Sequence, residues 1–459
     1  MTFIFVSVSA QLITESGMET SVVVERNFIS GNKTTQDSII YRFNMTKGDP
    51  EVYAAVAGRE LRFKKPFPDW KWGVYSSVND VVIPTEISYD GKTYPVKGIG
   101  WNGLMMYDLL PLQSLTIPES VIYINDFAFW ADNDPLDYNE YPFPAQYYLR
   151  KIVVDGKNPK YDSREDCNCI VETATNTLIE GCSSSFIPSS IERIKPYAFF
   201  RTSIENVTIP SSVNDIGSGV FFNCPLLKEV KLESNVTTIP DSMFCACYAL
   251  ENCEFPEFID SIGDYAFYEC CNLQPFKLSS SLKYIGTCAF VIEANLWQRN
   301  KGRSMYRDNK LWEILEIPEG VTEIGRDAFS YRGCEKIVLP STLEKVGFEA
   351  FHLSATKIFI KATTPPHVDI RLMSPDRTSW QGNVTLYVPK GTLSLYENAE
   401  GWKEFFYIEE FDFENETGIM DIQKENQKKE AMYDLTGRKV NGTFTHGLYI
   451  KNGKIYYSR

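Results

Sequence analysis

The chain is poor in the groups that carry out chemistry or bind polyanions. Of its 459 residues three are histidine, His352, His367 and His446, and no pair of them has metal-ligand spacing. Lysine and arginine number 46 against 60 aspartates and glutamates, a formal net charge of −14. That balance argues against a nucleic-acid footprint or an anionic-membrane surface and favours cationic partners. No stretch beyond the first ten residues approaches the ~18 apolar residues that a membrane helix needs. The GxSxG elbow of hydrolases and the GxxxxGK phosphate loop are both missing. Carboxylates are plentiful enough for an acid-base glycosidase pair, but none stands in a distinctive constellation. The chain therefore reads as a non-enzyme with no cofactor and no metal.

Length and apolar content say what is there instead. A chain of 459 residues, 43% hydrophobic and 14% aromatic, exceeds what one core supports. It is either several domains or an array that grows lengthwise, and its internal self-similarity decides for the array. Pro188, Pro210, Pro256, Pro318 and Pro340 each lie eleven residues before Phe199, Phe221, Phe267, Phe329 and Phe351. The phenylalanine column runs Phe199, Phe221, Phe244, Phe267, Phe290, Phe329 and Phe351, at intervals of 22, 23, 23, 23, 39 and 22. Pro118 and Phe129 mark an earlier unit. The segments IENVTIPSSVNDIGSGVF, LWEILEIPEGVTEIGRDAF and LQSLTIPESVIYINDFAF share the frame LxxIxIPxxVxxIGxxAF.

Each letter of the frame has a physical task. Ile204, Val207 and Ile209 fit one short strand turned to the core, and stacked strands make a parallel sheet. Proline ends the strand because it cannot donate the next ladder hydrogen bond. Val213 and Ile216 begin the return, Gly217, Gly263, Gly286 and Gly325 permit a tight bend, and phenylalanine fills the coil. An interval of 22 or 23 lies in the leucine-rich-repeat range.

This frame resembles the BspA-like leucine-rich-repeat family of surface and secreted bacterial proteins, strongly over residues 79–360. The segment NPKYDSREDCNCIVETATNTLIEGC resembles an atypical unit common in that family. The resemblance implies an α/β leucine-rich-repeat solenoid, strand-rich, with short helices or 3-10 turns on the convex side and β-rich caps. It also implies binding of host or bacterial macromolecules, since members are implicated in binding extracellular-matrix and plasma proteins.

The ends divide accordingly. Residues 1–10 are apolar and finish on Val8, Ser9 and Ala10, resembling the back half of a signal peptide without its basic front; the alternative is an ordinary first strand. Residues 11–78 read as an N-terminal β cap and 361–412 as a C-terminal cap, with Trp402 and Phe406 covering the last coil. Residues 413–430 read as a charged linker. Residues 431–459 resemble a truncated sorting domain of type IX secretion, or else form a small β tail. Together these predict a secreted or outer-membrane-associated surface protein.

Repeat positions absorb the apparent motifs. GIGWNG, from Gly98, matches GxGxxG, yet Ile99, Gly100, Gly103 and Leu104 fall on the I, G, A and F slots of the frame. Cys224, Cys247 and Cys270 each follow a column phenylalanine by three and should stack as a buried ladder. The CxC pairs Cys167 with Cys169 and Cys245 with Cys247 have no second pair at zinc spacing. Eleven cysteines, an odd number, cannot all pair internally. The acidic loop at Asp132, Asn133, Asp134 and Asp137 fails the EF-hand pattern.

Binding is expected where the frame leaves side chains outside. The outward slot two before proline carries Lys231, Glu254, Lys277 and Glu316, either a docking surface or a solubilising charge ladder. Two insertions interrupt the frame. One brings Tyr138, Tyr141, Phe143, Tyr147 and Tyr148, the other Trp297, Arg299, Arg303, Tyr306 and Arg307. Aromatics with arginine dominate interface hot spots. The leading reading is protein binding in adhesion; the alternative is a glycan-binding surface module, which the tyrosine-rich loop would suit.

Overall fold

The computed structural model describes residues 13–14, 19–30, 33–44, 54–60, 80–89, 92–99, 113–124, 128–129, 149–292, 312–352, 355–369, 384–405 and 407–414, with strand segments at 432–433, 439–440, 447–451 and 454–458. The signal-peptide-like start, most of the proposed linker, the acidic loop and both aromatic insertions fall outside these residues.

The repeat frame folds as three stacked ladders. The first is the parallel sheet of the IxIP strands. Asn206–Ile209, Glu229–Leu232 and Asn252–Glu254 align with Val207, Val230 and Cys253 in register. Their alternate exposure follows from the two-residue period of a strand: Val207 and Ile209 are buried, Asn206 and Thr208 exposed. Beyond the second insertion a five-stranded parallel sheet holds Trp312–Glu316, Cys334–Leu339, Lys357–Ile360, Thr385–Pro389 and Tyr407–Phe411. Parallel pairing thus runs on through the stretch read as the C-terminal cap. There Trp402 is buried, donating through Nε1 to the Pro366 carbonyl at 2.8 Å, and Phe405 stacks beside it; Phe406 is outside the described residues.

A second parallel ladder is made of two-residue strands that carry the Ile of the IG pair, among them Ser261–Ile262, Tyr284–Ile285 and Glu323–Ile324. Here the glycine column proves to serve a different purpose from the bend expected of it. A Cβ on Gly286 would lie 2.5 Å from the backbone carbon of Gly263, and one on Gly325 would lie 2.6 Å from that of Gly286. Neither glycine has a positive φ. They are small because successive coils touch there.

The third ladder surrounds the phenylalanine and replaces the helices or 3-10 turns expected on the return side. Residues two before and two after the column are left-handed: Tyr265 at φ 58° and Glu269 at φ 61° flank Phe267. A right-handed helix cannot hold such residues. They aim alternate N–H groups at the next coil, so Tyr265, Phe267 and Glu269 donate to the carbonyls of Thr287, Ala289 and Val291 at 2.8 Å. The same step recurs from Gly219, Phe221 and Asn223 to Asp241, Met243 and Cys245. Donors always sit in the earlier coil. Among the described residues, helix is confined to Arg164–Asp166 and Leu393–Asn398.

Inside the ladders the column forms one continuous ring stack. Phe199, Phe221, Phe244, Phe267, Phe290, Phe329 and Phe351 are buried, with successive centroids 5.1, 5.8, 5.4, 5.0, 5.1 and 5.9 Å apart. The 39-residue interval leaves the stack unbroken, with Phe290 and Phe329 in contact across it. Cys224, Cys247 and Cys270 stack as expected. Each thiol donates to the carbonyl of the preceding coil's column residue, Phe199, Phe221 or Phe244, at 3.0 to 3.1 Å.

At the N-terminal end, long antiparallel strands Glu19–Ser30 and Lys33–Asn44 lead through Ala54–Glu60 to Lys92–Ile99, which pairs in parallel with Tyr123–Ile124. Ile99 is buried against this pairing, as its repeat slot requires. The tail strands form a four-stranded antiparallel sheet.

Candidate binding face

The outward side of the first ladder is the open surface of the array. On three successive strands, Asn206–Ile209, Glu229–Leu232 and Asn252–Glu254, it forms a groove of about 510 Å³ that continues to Gln274, Pro275 and Phe276. The parallel register sets its rows. Asn206, Glu229 and Asn252 make one, and Thr208, Lys231 and Glu254 the next.

Of the four described site candidates, Lys231 and Glu254 face each other in register, while the ion pairs of Lys231, Lys277 and Glu316 run to other residues. Lys231 pairs with Glu233 of its own strand at 2.8 Å, and that contact raises its pKa. Lys277 pairs with Glu257 at 3.6 Å, and Glu316 with Lys361 at 3.7 Å. Glu254 makes no ion pair among the described residues, and neither do Glu229 and Glu251. Lys228 is held by Glu205 at 3.0 Å. The groove is therefore rimmed by three exposed carboxylates and by Lys231. The remaining ten candidates, Tyr138 to Tyr148 and Trp297 to Arg307, lie outside the described residues.

The face changes character past the second insertion. The slot that carries Lys231 and Glu254 continues as Val338, Phe359 and Tyr387, in register. Val338 and Phe359 are buried, and Phe359 stacks on Tyr387 at 4.5 Å with Phe411 edge-on at 5.2 Å. Lys336 is buried in the same region, and burial lowers its pKa. An open acidic half and a covered apolar half share one sheet frame.

Arg332 was not foreseen. It occupies the slot of the cysteine ladder, three after Phe329, and is buried. Its guanidinium reaches the carbonyls of Cys270 at 2.9 Å and Leu273 at 2.7 Å, and lies 4.3 Å from the ring centre of Trp312. Trp312 Nε1 donates to the same Leu273 carbonyl at 3.0 Å. Burial depresses the Arg332 pKa to about 10. Together the two long side chains brace the coils on either side of the insertion. The signal in the sequence was the departure from column type: arginine in the slot of Cys224, Cys247 and Cys270, and tryptophan in the slot of Ile204 and Leu250.

The thiols lie in packed surroundings. Cys245 belongs to a small outer cluster with Phe200, Phe222 and Tyr248, whereas Cys247 is in the main core, so this CxC pair is split between two sites. Burial pushes the thiol pKa of both upward. Cys167 and Cys169 are both buried in the main core. Among the described residues no group of three histidine, cysteine or acidic side chains is placed to hold a metal ion. His352 lies edge-on to Tyr331 at 5.0 Å, and His367 contacts Asp369 at 3.2 Å.

Stacked parallel strands at a 22 to 23 residue interval define a leucine-rich-repeat solenoid. The model of the BspA type leucine rich repeat region matches in six copies over residues 179–296 and 300–365, and over those residues the chain is a repeat region of that type. Among solved structures the chain is similar to a leucine-rich repeat protein from Bacteroides ovatus, at 19% identity and a TM-score of 0.43, over 81% of this chain and 87% of that one. It is also similar to a leucine rich cell surface protein from Faecalibacterium prausnitzii, at 18% identity and a TM-score of 0.30, over 78% and 97%. The pneumococcal vaccine antigen PcpA is 14% identical with a TM-score of 0.38, over 84% and 98%. No curated protein matches.

Proposed function

We propose that the chain is a non-catalytic cell-surface or secreted protein that binds other macromolecules through the outward face of its parallel sheet. The observation that carries this is the groove over Asn206–Ile209, Glu229–Leu232 and Asn252–Glu254, with Glu229, Glu251 and Glu254 exposed and outside any ion pair. The three carboxylates outnumber Lys231, the lysine that lines the groove with them, and so favour a cationic ligand. Elsewhere on each coil the backbone is occupied by the ladders and the interior by the ring stack. Support for export comes from the signal-peptide-like start and the tail's likeness to a sorting domain.

The test is saturable binding of the purified chain to purified matrix and plasma proteins, with the double substitution Glu229→Lys and Glu254→Lys as control. Reversing both charges should abolish binding while the circular dichroism spectrum stays unchanged. Binding that survives the double reversal would move the site off this face. Saturable binding confined to a glycan array would favour the glycan-binding alternative.

A further inference from the structure

Most coils turn from the outward strand into the return over four residues, the fourth donating to the carbonyl of the first. Val213 donates to Pro210 at 3.1 Å, Ile259 to Pro256 at 3.4 Å and Leu282 to Ser279 at 3.1 Å. The third residue of the turn, nine before the column phenylalanine, is small or polar: Ser190, Ser212, Asn235, Ser281, Gly320 and Thr342. At two of these positions the side chain ties its coil to the one before. Asn235 donates through Nδ2 to the Ser211 carbonyl at 3.5 Å, and Thr342 through Oγ1 to that of Val321 at 2.9 Å.

In the coil between Asn235 and Ser281 the same slot holds Phe258. A phenyl ring has no such hydrogen bond to give. Phe258 is 42% exposed, packs in none of the three apolar clusters, and meets no other ring and no cation among the described residues. It therefore adds nothing to the cohesion of the coil. An aromatic kept in water at a slot otherwise given to small residues has the character of an interface anchor.

The surroundings of the ring set what it can receive. From residue 232 to residue 276 there is no lysine, arginine or histidine, and eight aspartates and glutamates fall in that stretch. Glu257 is next to Phe258 in the turn, and Glu254 ends the strand that leads into it; both are exposed. Glu257 is held by Lys277 at 3.6 Å, but the two side chains are 83% and 81% exposed, and such a pair yields readily to a competing cation. A guanidinium suits both parts of this corner. Its flat face stacks on a ring while its N–H fork reaches a carboxylate, whereas an ammonium brings only a point charge.

We propose that Phe258 is the anchor of the acidic face: an arginine of a cationic partner protein stacks on its ring and bridges to Glu254 or Glu257. Further basic residues of the partner then lie along the groove at Glu229 and Glu251. This rests on reading the outward face as the binding face, and it adds to that reading one residue of the chain and one side chain of the partner.

The test titrates the intact chain with a nine-residue arginine peptide and with its lysine counterpart. The arginine peptide should saturate below about 1 mM and bind more tightly than the lysine peptide. Phe258→Ser, which restores the residue type of the column, should weaken the arginine peptide by about fivefold or more and the lysine peptide by less than about twofold. Phe258→Trp should retain arginine binding, and both variants should melt within about 2 °C of the parent. Equal losses for the two peptides, loss of arginine binding in Phe258→Trp, a clear fall in melting temperature for Phe258→Ser, or no saturation would each overturn the anchor. If arginine binding is lost with Glu229→Lys and Glu254→Lys but indifferent to Phe258→Ser, the anchor is refuted and the acidic face stands. If capture of a matrix or plasma protein survives the double charge reversal but fails in Phe258→Ser, the groove is refuted and the anchor stands.

Discussion

Truncating Phe267 to alanine tests the ring stack where it is densest. Phe267 is fully buried between Phe244 at 5.4 Å and Phe290 at 5.0 Å, and Phe255 and Phe276 close its edges at 5.9 and 5.8 Å. Removing a buried phenylalanine ring costs about 3–5 kcal/mol, more where the walls cannot collapse. Here they cannot. Two ladders fix the spacing to the next coil, and each lost ring contact was worth about 0.5–1.5 kcal/mol beyond its area, so the expected loss is about 5 kcal/mol. Phe267→Leu keeps most of the volume but gives up the ring contacts, and should cost about 2–3 kcal/mol, clearly less than alanine. Because a solenoid couples only nearest neighbours, the alanine variant should also unfold in two steps, the coils on either side melting apart. Urea titrations followed by circular dichroism, and by fluorescence of Trp312 beside Phe290, would read both effects. A loss under about 1.5 kcal/mol, or equal losses for alanine and leucine, would refute the stack as a principal source of cohesion.

Gly286→Ala should cost about 1–3 kcal/mol by overpacking against the Gly263 backbone, whereas Gly156→Ala, which meets nothing within 4 Å, should leave the melting temperature unchanged. Arg332→Lys should lose about 1–3 kcal/mol in chemical denaturation, because one ammonium cannot serve the Cys270 and Leu273 carbonyls as the fork does. Stability should also fall in alkali. Burial raises the folded pKa of Cys245, Cys247 and Cys270, so the unfolded chain gives up these protons first. The thiol contribution is intact below about pH 8.5 and declines above it, by up to about 1.4 kcal/mol per pH unit per thiol. Denaturant midpoints from pH 7 to 10 should slope downward, and less steeply in Cys247→Ala.

Much of the fold was legible because the frame repeats residue identity as well as pattern. Phenylalanine at 22 or 23 residue intervals has one consistent place, the interior, and the cysteines three positions on inherit it. What the frame concealed were features that side chains do not select. Left-handed backbone falls on Tyr197, Ser242, Tyr265 and Asp327 alike, residues with no common preference for it. The coil-to-coil hydrogen bonds impose that conformation, and the sequence-based expectation of helices failed to anticipate it. Gly286 was read as a bend for the same reason: a glycine does not declare whether φ or clearance requires it. Pro275 was visible, but it sits outside the proline column. Only the end of the three-stranded sheet at Asn252–Glu254 shows the break beside it.

These points bear on why the outward face is where function can vary. In each coil the inward slots are bound to the stack, the return side to a ladder in which every donor faces one way, and the glycines to contact between coils. A substitution there changes two neighbours as well as itself. The outward slots carry no such duty, and along one row they pass from Thr208, Lys231 and Glu254, exposed, to Val338 and Phe359, buried. The same register thus supports an open acidic surface and an enclosed apolar one. The boundary falls between Glu316, exposed, and its partner in register Val338, buried.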